Sequence, residues 1–269
     1  MGGIVSSAPP RASHDGGVDH DLTVRFRKAR RDPALTVLEG FHALKHALRF
    51  GADVEEAVAV DPAALEALAA ELAPDLEGKL AGRVEPVDAE TLATLVPLVP
   101  RTGVVAIARR PPLDVAATLA EPRPAPVVLL EQPRNMGNIG ACIRVAAAAD
   151  AAAVLTTGEN DPWYPAAVRG AAGLHFALPV GAVETLPDSD RPLLAIDPDG
   201  EDLQPDRLPP RAVLAFGTER HGISEALLER ADGRIAIPMR AGVSSLNLAT
   251  SVAVTLFVWK LHNDGAARQ

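Results

Sequence analysis

Short apolar runs alternate with amphipathic stretches along the chain, and the alternation falls into two blocks. In the first, Phe41, Leu44, Leu48 and Phe50 recur near helical spacing behind Glu39-Gly40, which predicts a helix. The β-branched run Val54 to Val60 reads as a strand, and Asp61-Pro62 then opens a helix over Ala63 to Leu72. Val84 to Val87 and Val104 to Ala108 read as strands flanking a helix around Leu92. This predicts a small α/β unit over residues 22–110, and the five prolines between Pro111 and Pro126 mark residues 111–125 as a linker. In the second block, residues 126–263, strands are expected at Val127–Glu131, Ala153–Thr156, Leu193–Ile196, Ala212–Phe216 and Arg234–Ile237. Helices are expected at Ile139–Ala149, Pro165–Ala172, Glu225–Arg230 and Leu248–His262. Apolar runs alternating with helices imply an α/β fold with a mostly parallel sheet covered on both faces. Residues 1–21, rich in Gly, Ser, Pro and Asp, read as a flexible tail, and 264–269 as a second one.

Composition narrows the function classes. The length of 269 residues suits one large or two modest domains, and a 48% hydrophobic content excludes wholesale disorder. A single cysteine, Cys142, excludes an internal disulfide and a multi-cysteine metal site, and no Cys/His cluster suggests a metal. The first 20 residues lack the apolar core of a signal peptide. The longest nearly uncharged run, Leu246 to Trp259, has 14 residues, whereas a spanning helix needs about 20. A cytoplasmic protein without a membrane association is expected. The net charge of −9 excludes a protein coated in positive charge. Yet Arg25, Arg27, Lys28, Arg30 and Arg31 crowd seven positions, and residues 22–50 carry seven basic against two acidic side chains. Phosphate neutralisation drives most nucleic-acid affinity, so this cluster points to an RNA-docking face; a solvated charged helix is the other reading.

Three strand-end loops carry candidate chemistry. The first, Glu131 to Gly140, leads into a helix holding Arg144; a strand, a glycine loop and a helix form the layout that takes nucleotide-like ligands. Asn135 stands where a dinucleotide fingerprint needs its first glycine, which argues against an NAD-dependent oxidoreductase. The second, Phe216-Gly217-Thr218-Glu219 to Gly222-Ile223-Ser224, sets a carboxylate between two glycines, with Ser224 a plausible helix cap. The third runs from Ile237-Pro238-Met239 to Ser244-Ser245-Leu246-Asn247, where Ser245 or Asn247 could cap the helix that follows. In that helix Val252, Leu256 and Trp259 make an apolar stripe suited to core or subunit contact.

Taken in order, these loops resemble the three signature motifs of the SpoU (TrmH-like) RNA 2′-O-methyltransferases, a SPOUT-class family. Val37-Leu38-Glu39-Gly40 and Thr102 to Ala106 are similar to that family's substrate-binding unit. The resemblance implies a C-terminal α/β domain with a deep trefoil knot, preceded by a small α/β RNA-binding domain. It also implies a homodimer with a shared active site, and S-adenosylmethionine held at Ile196, Gly217, Ile237, Met239 and Leu246. Arg144 is then the catalytic group, with Asn135, Glu219, Ser245 and Asn247 positioning it, the cofactor and the ribose. A guanidinium holds its proton tightly and is a poor base, so proton removal and stabilisation of the alkoxide both stay open. Arg169 is a candidate for RNA contact, and Ala171 stands where the family often has serine. The substrate expected is structured RNA, ribosomal in preference to transfer RNA because a separate domain precedes the catalytic one. A catalytically silent RNA-binding or ribosome-assembly factor is the alternative.

Overall fold

The computed structural model describes residues 16–266, apart from Glu77, Ala81 and residues 219–221. The chain opens with α1 (Gly16–Ala29), followed by β1 (Leu35–Glu39), α2 (Phe41–Arg49), β2 (Val54–Ala59), α3 (Pro62–Leu72), β3 (Glu85–Pro86), α4 (Ala89–Leu95) and β4 (Val104–Arg109). The four strands form one sheet in the order β1-β4-β2-β3, with β4 antiparallel to both β1 and β2. Successive side chains of β4 point to opposite faces. Val104, Ala106 and Ala108 join the core beneath α2 and α3, while Val105 and Ile107 join a second cluster under α1 and α4. Two buried faces explain why β4 reads as a continuous apolar run.

The expected N-terminal tail is corrected in part. Residues 16–21 belong to α1, and residues 1–15 lie outside the described residues. Leu22, Phe26 and Ala29, at helical spacing, are all buried against the first sheet, and that stripe carries the helix upstream through Gly16-Gly17. The C-terminal tail is shortened likewise: the last helix runs to Ala266, and residues 267–269 lie outside the described residues.

The expected linker also differs. It contains α5 (Val115–Ala120), capped by Asp114, and it is bonded down along its length. The buried Arg191 donates to the carbonyls of Leu119, Ala125 and Glu121 at 2.7–2.9 Å. Arg211 donates to Glu121 and Leu119 from the other side and pairs with Asp190.

The second half adds β5 (Val127–Leu130), α6 (Met136–Ala149), β6 (Ala153–Thr156), α7 (Pro165–Gly170), β7 (Val180–Ala182), β8 (Leu193–Asp202), β9 (Val213–Phe216), α8 (Glu225–Arg230), β10 (Gly233–Ala236) and α9 (Leu248–Ala266). Their strands form a parallel six-stranded sheet ordered β10-β8-β9-β5-β6-β7. From β5 the chain steps outward to β6 and β7, then crosses back to build β8, β9 and β10 on the other side. The order reverses between β5 and β9, which is where open parallel sheets bind ligands at the carboxyl ends of their strands. The loops after β5, β9 and β10 are the three singled out above. Val252, Leu256 and Trp259 of α9 are buried as the stripe predicts, and α9 packs on α6. Among the described residues no helix is long and apolar enough to cross a membrane.

The two sheets share one continuous core and are joined by polar contacts. Thr36 donates to the Trp163 carbonyl, and Arg110 bonds both the Leu35 carbonyl and Asp161. His46 of α2 contacts the Ala172 carbonyl at 2.7 Å, and the backbone of Ala43 lies so close to Gly173 that a Cβ there would meet its carbonyl oxygen at 2.5 Å. Glu39, its side chain 2% exposed, accepts from Arg30 of α1 at 2.7 Å and from Arg169 of α7.

Candidate active site

Two polar staples draw the three loops together. Glu131 at the end of β5 accepts from both the backbone N–H (2.7 Å) and the hydroxyl (2.6 Å) of Ser224, tying the first loop to the second. Ser224 also caps α8 by accepting from Leu227 N–H, as expected. In the first loop Asn135 caps α6, its side chain accepting from the Asn138 N–H at 3.0 Å. Asn138 in turn accepts from the Asn247 amide at 3.1 Å, tying the first loop to the third. Asn247 caps α9 through the Ala249 N–H at 2.9 Å, so of the two capping candidates Asn247 fills the position.

Between the loops lies an open cavity of about 310 Å³. Its wall includes Ile196, Gly217, Ile237, Met239, Ser245 and Leu246, so all five residues expected to hold a cofactor share one surface. Gly217 is sterically required: a Cβ there would lie 2.0 Å from the carbonyl carbon of Gly222, because Thr218 and Gly222 pair backbone to backbone across the loop. Glu219, which follows Thr218 in sequence, lies outside the described residues.

Sequence reasoning missed Asp197 and Pro198 on the same wall. They arise from an irregularity: Arg234 of β10 pairs with Ala195 of β8, but the next residue, Ile235, pairs with Glu201. The extra residues between these pairings form a bulge that brings Ile196, Asp197 and Pro198 to the cavity, while Gly200 closes back on the Arg234–Ile235 backbone, where a Cβ would come within 2.5 Å. The sequence Asp-Pro-Asp-Gly-Glu-Asp (197–202) reads as a turn that ends the strand, which hides the resumed pairing.

Arg144 does not line this cavity. It is exposed on α6, nine residues past the cap, roughly 13 Å along the helix. It shares its helix face with Gly137 and Gly140, and this face meets α7: a Cβ on Gly140 would come within 2.3 Å of the Ala167 carbonyl oxygen. Beyond α7 stands α2. There His42 has its pKa lowered by burial and further by the cations Lys45 and Arg144, and Lys45 is lowered by burial, by Arg49 and by Arg144.

The basic cluster is divided by the structure. Arg25 pairs with Asp21 and Glu56, and Arg30 with Glu39. Arg27, Lys28 and Arg31 are exposed, form no ion pair among the described residues, and line a shallow groove with Val24, Asp32 and Pro33. Arg109 and Arg110 are paired with carboxylates. Arg169 is committed to Glu39, a contact that joins α7 to β1.

Known proteins resemble this chain in sequence and in fold. Residues 125–257 match the SpoU rRNA Methylase family. An uncharacterized tRNA/rRNA methyltransferase of Mycobacterium bovis is 33% identical over 200 residues, covering 68% of this chain and 69% of its own. The 23S rRNA (adenosine(1067)-2′-O)-methyltransferase of Streptomyces azureus is 28% identical over 244 residues, covering 86% of this chain and 87% of its own. Among solved structures, the SpoU methyltransferase AviRb from Streptomyces viridochromogenes superposes with a TM-score of 0.73 at 22% identity, over 90% of this chain and 98% of its own. An RNA 2′-O ribose methyltransferase superposes at 0.69 with 27% identity, over 93% and 98%. With its three motif loops joined around one cavity at the switch point of a parallel sheet, this chain belongs to the SpoU rRNA methylase family.

Proposed function

We propose that the chain transfers a methyl group from S-adenosylmethionine to a ribose 2′-hydroxyl of structured RNA, in the first instance ribosomal RNA. The observation that carries this reading is the joint wall formed by Ile196, Gly217, Ile237, Met239 and Leu246. The wall suits the cofactor: it lies within the roughly 300–1,000 Å³ range of small-molecule clefts, with apolar side chains for a purine face and backbone groups for its edge. Support for ribosomal RNA is the Streptomyces azureus relative, alignable over both halves of this chain; transfer RNA is the second candidate.

S-adenosylmethionine, when bound, supplies a methyl group already activated on a sulfonium. What remains for the chain is alignment and stabilisation of the ribose oxygen as its proton passes to solvent water and the oxygen–methyl bond replaces the sulfur–methyl bond. Asn135 and Asn247, joined through Asn138, hold the loops at fixed spacing. An arginine guanidinium keeps its proton in proteins, so Arg144 serves as the cation that stabilises the developing alkoxide. Ser245 on the wall and Glu219 in the second loop are assigned to orienting the ribose and cofactor.

Because Arg144 lies off the cavity formed by its own chain, the reading includes a homodimer in which Arg144 of one protomer serves the cavity of the other. Exposed Phe257 and Leu261 on α9, 40% and 72% accessible, support such a contact. The reading further includes a trefoil knot formed by the segment between β10 and α9, an RNA-binding domain over residues 22–110 with Arg27, Lys28 and Arg31 on its surface, a catalytic domain over 126–263, and a cytoplasmic setting. Labelled methyl transfer to total RNA tests it, with Arg144→Ala beside wild type. Activity is expected to fall at least a hundredfold in the variant, in the range for loss of one oxyanion-stabilising donor; full activity would overturn the assignment.

A further inference from the structure

Among the described residues the cavity wall carries one ionisable side chain, Asp197; its other polar side chains are the hydroxyls of Thr218, Ser244, Ser245 and Ser251. The bulge of β8 brings Asp197 there. Ile196, just before it, makes the last pairing with β9, opposite Phe216, so Asp197 and Gly217 are the first residues past the paired ends of two neighbouring parallel strands. Local chemistry then fixes the side chain. Pro198 steers the residue before it to extended backbone, and Oδ1 of Asp197 accepts the Asp199 N–H at 2.9 Å. That turn commits one carboxylate oxygen. The second has no hydrogen-bond partner and no paired cation among the described residues. A half-buried carboxylate on a largely apolar wall, with one oxygen held and one uncommitted, is an acceptor placed for a ligand's donor.

We infer that Asp197 reads the ribose of the cofactor, accepting hydrogen bonds from its 2′- and 3′-hydroxyls, and is thereby a specificity-determining residue of the site. The inference rests on the S-adenosylmethionine reading. It goes beyond that reading in giving the sugar to a carboxylate side chain, where the motif residues offer apolar contact and backbone groups. The cofactor presents a carboxylate with three kinds of partner, and they are not equivalent. Its sulfonium loses positive charge as the methyl group departs, so a carboxylate beside it would stabilise the bound cofactor more than the transition state. Its α-ammonium is accompanied by the cofactor's own carboxylate, which Asp197 would repel. Its ribose diol is uncharged, takes no part in the transfer, and offers two donors on adjacent carbons. One carboxylate oxygen, with two lone pairs, can accept both. Other open parallel sheets also hold nucleotide cofactors through a carboxylate that accepts from ribose hydroxyls.

The test is titration calorimetry of the full chain with S-adenosylmethionine, S-adenosylhomocysteine, 5′-methylthioadenosine and the 2′,3′-dideoxy analogue of S-adenosylhomocysteine. Wild type is compared with Asp197→Asn, which keeps an oxygen for the Asp199 N–H and removes the charge. Wild type should bind S-adenosylhomocysteine about tenfold or more tightly than the dideoxy analogue, as expected for charge-assisted hydrogen bonds. In Asp197→Asn the three ribose ligands should weaken alike, by about tenfold, and the preference over the dideoxy analogue should fall to about threefold or less. Asp197→Ala, which removes the acceptor altogether, should lose the preference too. A merely structural role would weaken all four ligands together and leave the preference at its wild-type value, which overturns the assignment. Loss of S-adenosylmethionine affinity alone overturns it by putting the carboxylate at the sulfonium. Weaker S-adenosylmethionine and S-adenosylhomocysteine with 5′-methylthioadenosine unchanged overturns it by putting the carboxylate at the α-ammonium. Wild type that binds these ligands without preferring the ribose overturns the assignment alone, whereas wild type that binds none of them overturns the methyltransferase reading and the assignment with it.

Discussion

Replacing Glu39 by alanine removes the shared acceptor of two arginines that come from opposite halves of the chain. Glu39 is almost wholly enclosed, its side chain 2% exposed, whereas Arg30 is 20% and Arg169 47% exposed. Breaking a buried ion pair by deleting one partner costs about 3–5 kcal/mol, chiefly because a charge is stranded. Here the stranded groups are the arginines, and each can turn partly toward water, so the lower end of about 3 kcal/mol applies. For a chain of this size each kcal/mol moves the melting temperature by about 2–4 °C, giving a fall of about 6–12 °C in Glu39→Ala. Arg169→Ala leaves Glu39 still paired with Arg30 and should cost only about 1 kcal/mol. The double variant should be little worse than Glu39→Ala alone, since both changes remove the same contact. Differential scanning calorimetry with urea titration measures all three. The reasoning fails if Glu39→Ala melts within 2 °C of wild type, or if Arg169→Ala proves as damaging as Glu39→Ala.

Three further outcomes follow from close contacts and burial. His175 is fully buried, donates through Nε2 to the Pro162 carbonyl, and has its pKa lowered to about 4 by burial. Its neutral form stabilises the fold above the unfolded value near 6.5, and that stability is lost as pH falls from there toward 4; urea unfolding should show about 2 kcal/mol less stability at pH 5 than at pH 7 from this group, a difference absent in His175→Gln. Gly140→Ala would force α6 and α7 apart, since the added Cβ meets the Ala167 carbonyl oxygen at 2.3 Å; it should destabilise by about 1–3 kcal/mol, as overpacking does, and a melting temperature unchanged within 2 °C would count against the packing. Gly217→Ala collides with the Gly222 backbone beside the cavity, so calorimetry should find S-adenosylmethionine binding weakened at least tenfold, and near-wild-type affinity would remove that wall from the cofactor site.

The three loops were legible because each lies at the end of an apolar strand, and a parallel sheet gathers such ends at one edge. The individual cavity residues followed from motif resemblance, and the sheet brings them to one wall. Much less visible were features set by distant partners. Arg30 and Arg169 read in sequence as cations for RNA, and nothing local announces their engagement by Glu39; the carboxylate that engages Arg169 is 130 positions away. The first helix hid behind Gly16-Gly17 because its apolar stripe, Leu22 to Ala29, begins only at the assumed boundary, whereas the helix itself straddles it. Strand β1 escaped notice as a five-residue strand wedged between a basic helix and Gly40. In the linker the prolines announced a tether, while the bonds that immobilise it come from Arg191 and Arg211, far downstream. Local periodicity reports which face of an element is apolar, and it carries no information about which remote charge will meet a given arginine.

That immobilised linker turns the chain into a gauge. A slack tether would let the basic surface around Arg27, Lys28 and Arg31 sample many distances from the cavity, and any ribose within reach could be presented. With Leu119, Glu121 and Ala125 clasped by buried and half-buried guanidiniums, and with one core running through both sheets, the span between the two is set by the fold itself. On the proposed reading, an RNA held at Arg27, Lys28 and Arg31 would be measured as well as bound: only a nucleotide whose separation from the anchored backbone matched that span would offer its hydroxyl to the cavity, and the choice of target would become a matter of RNA shape.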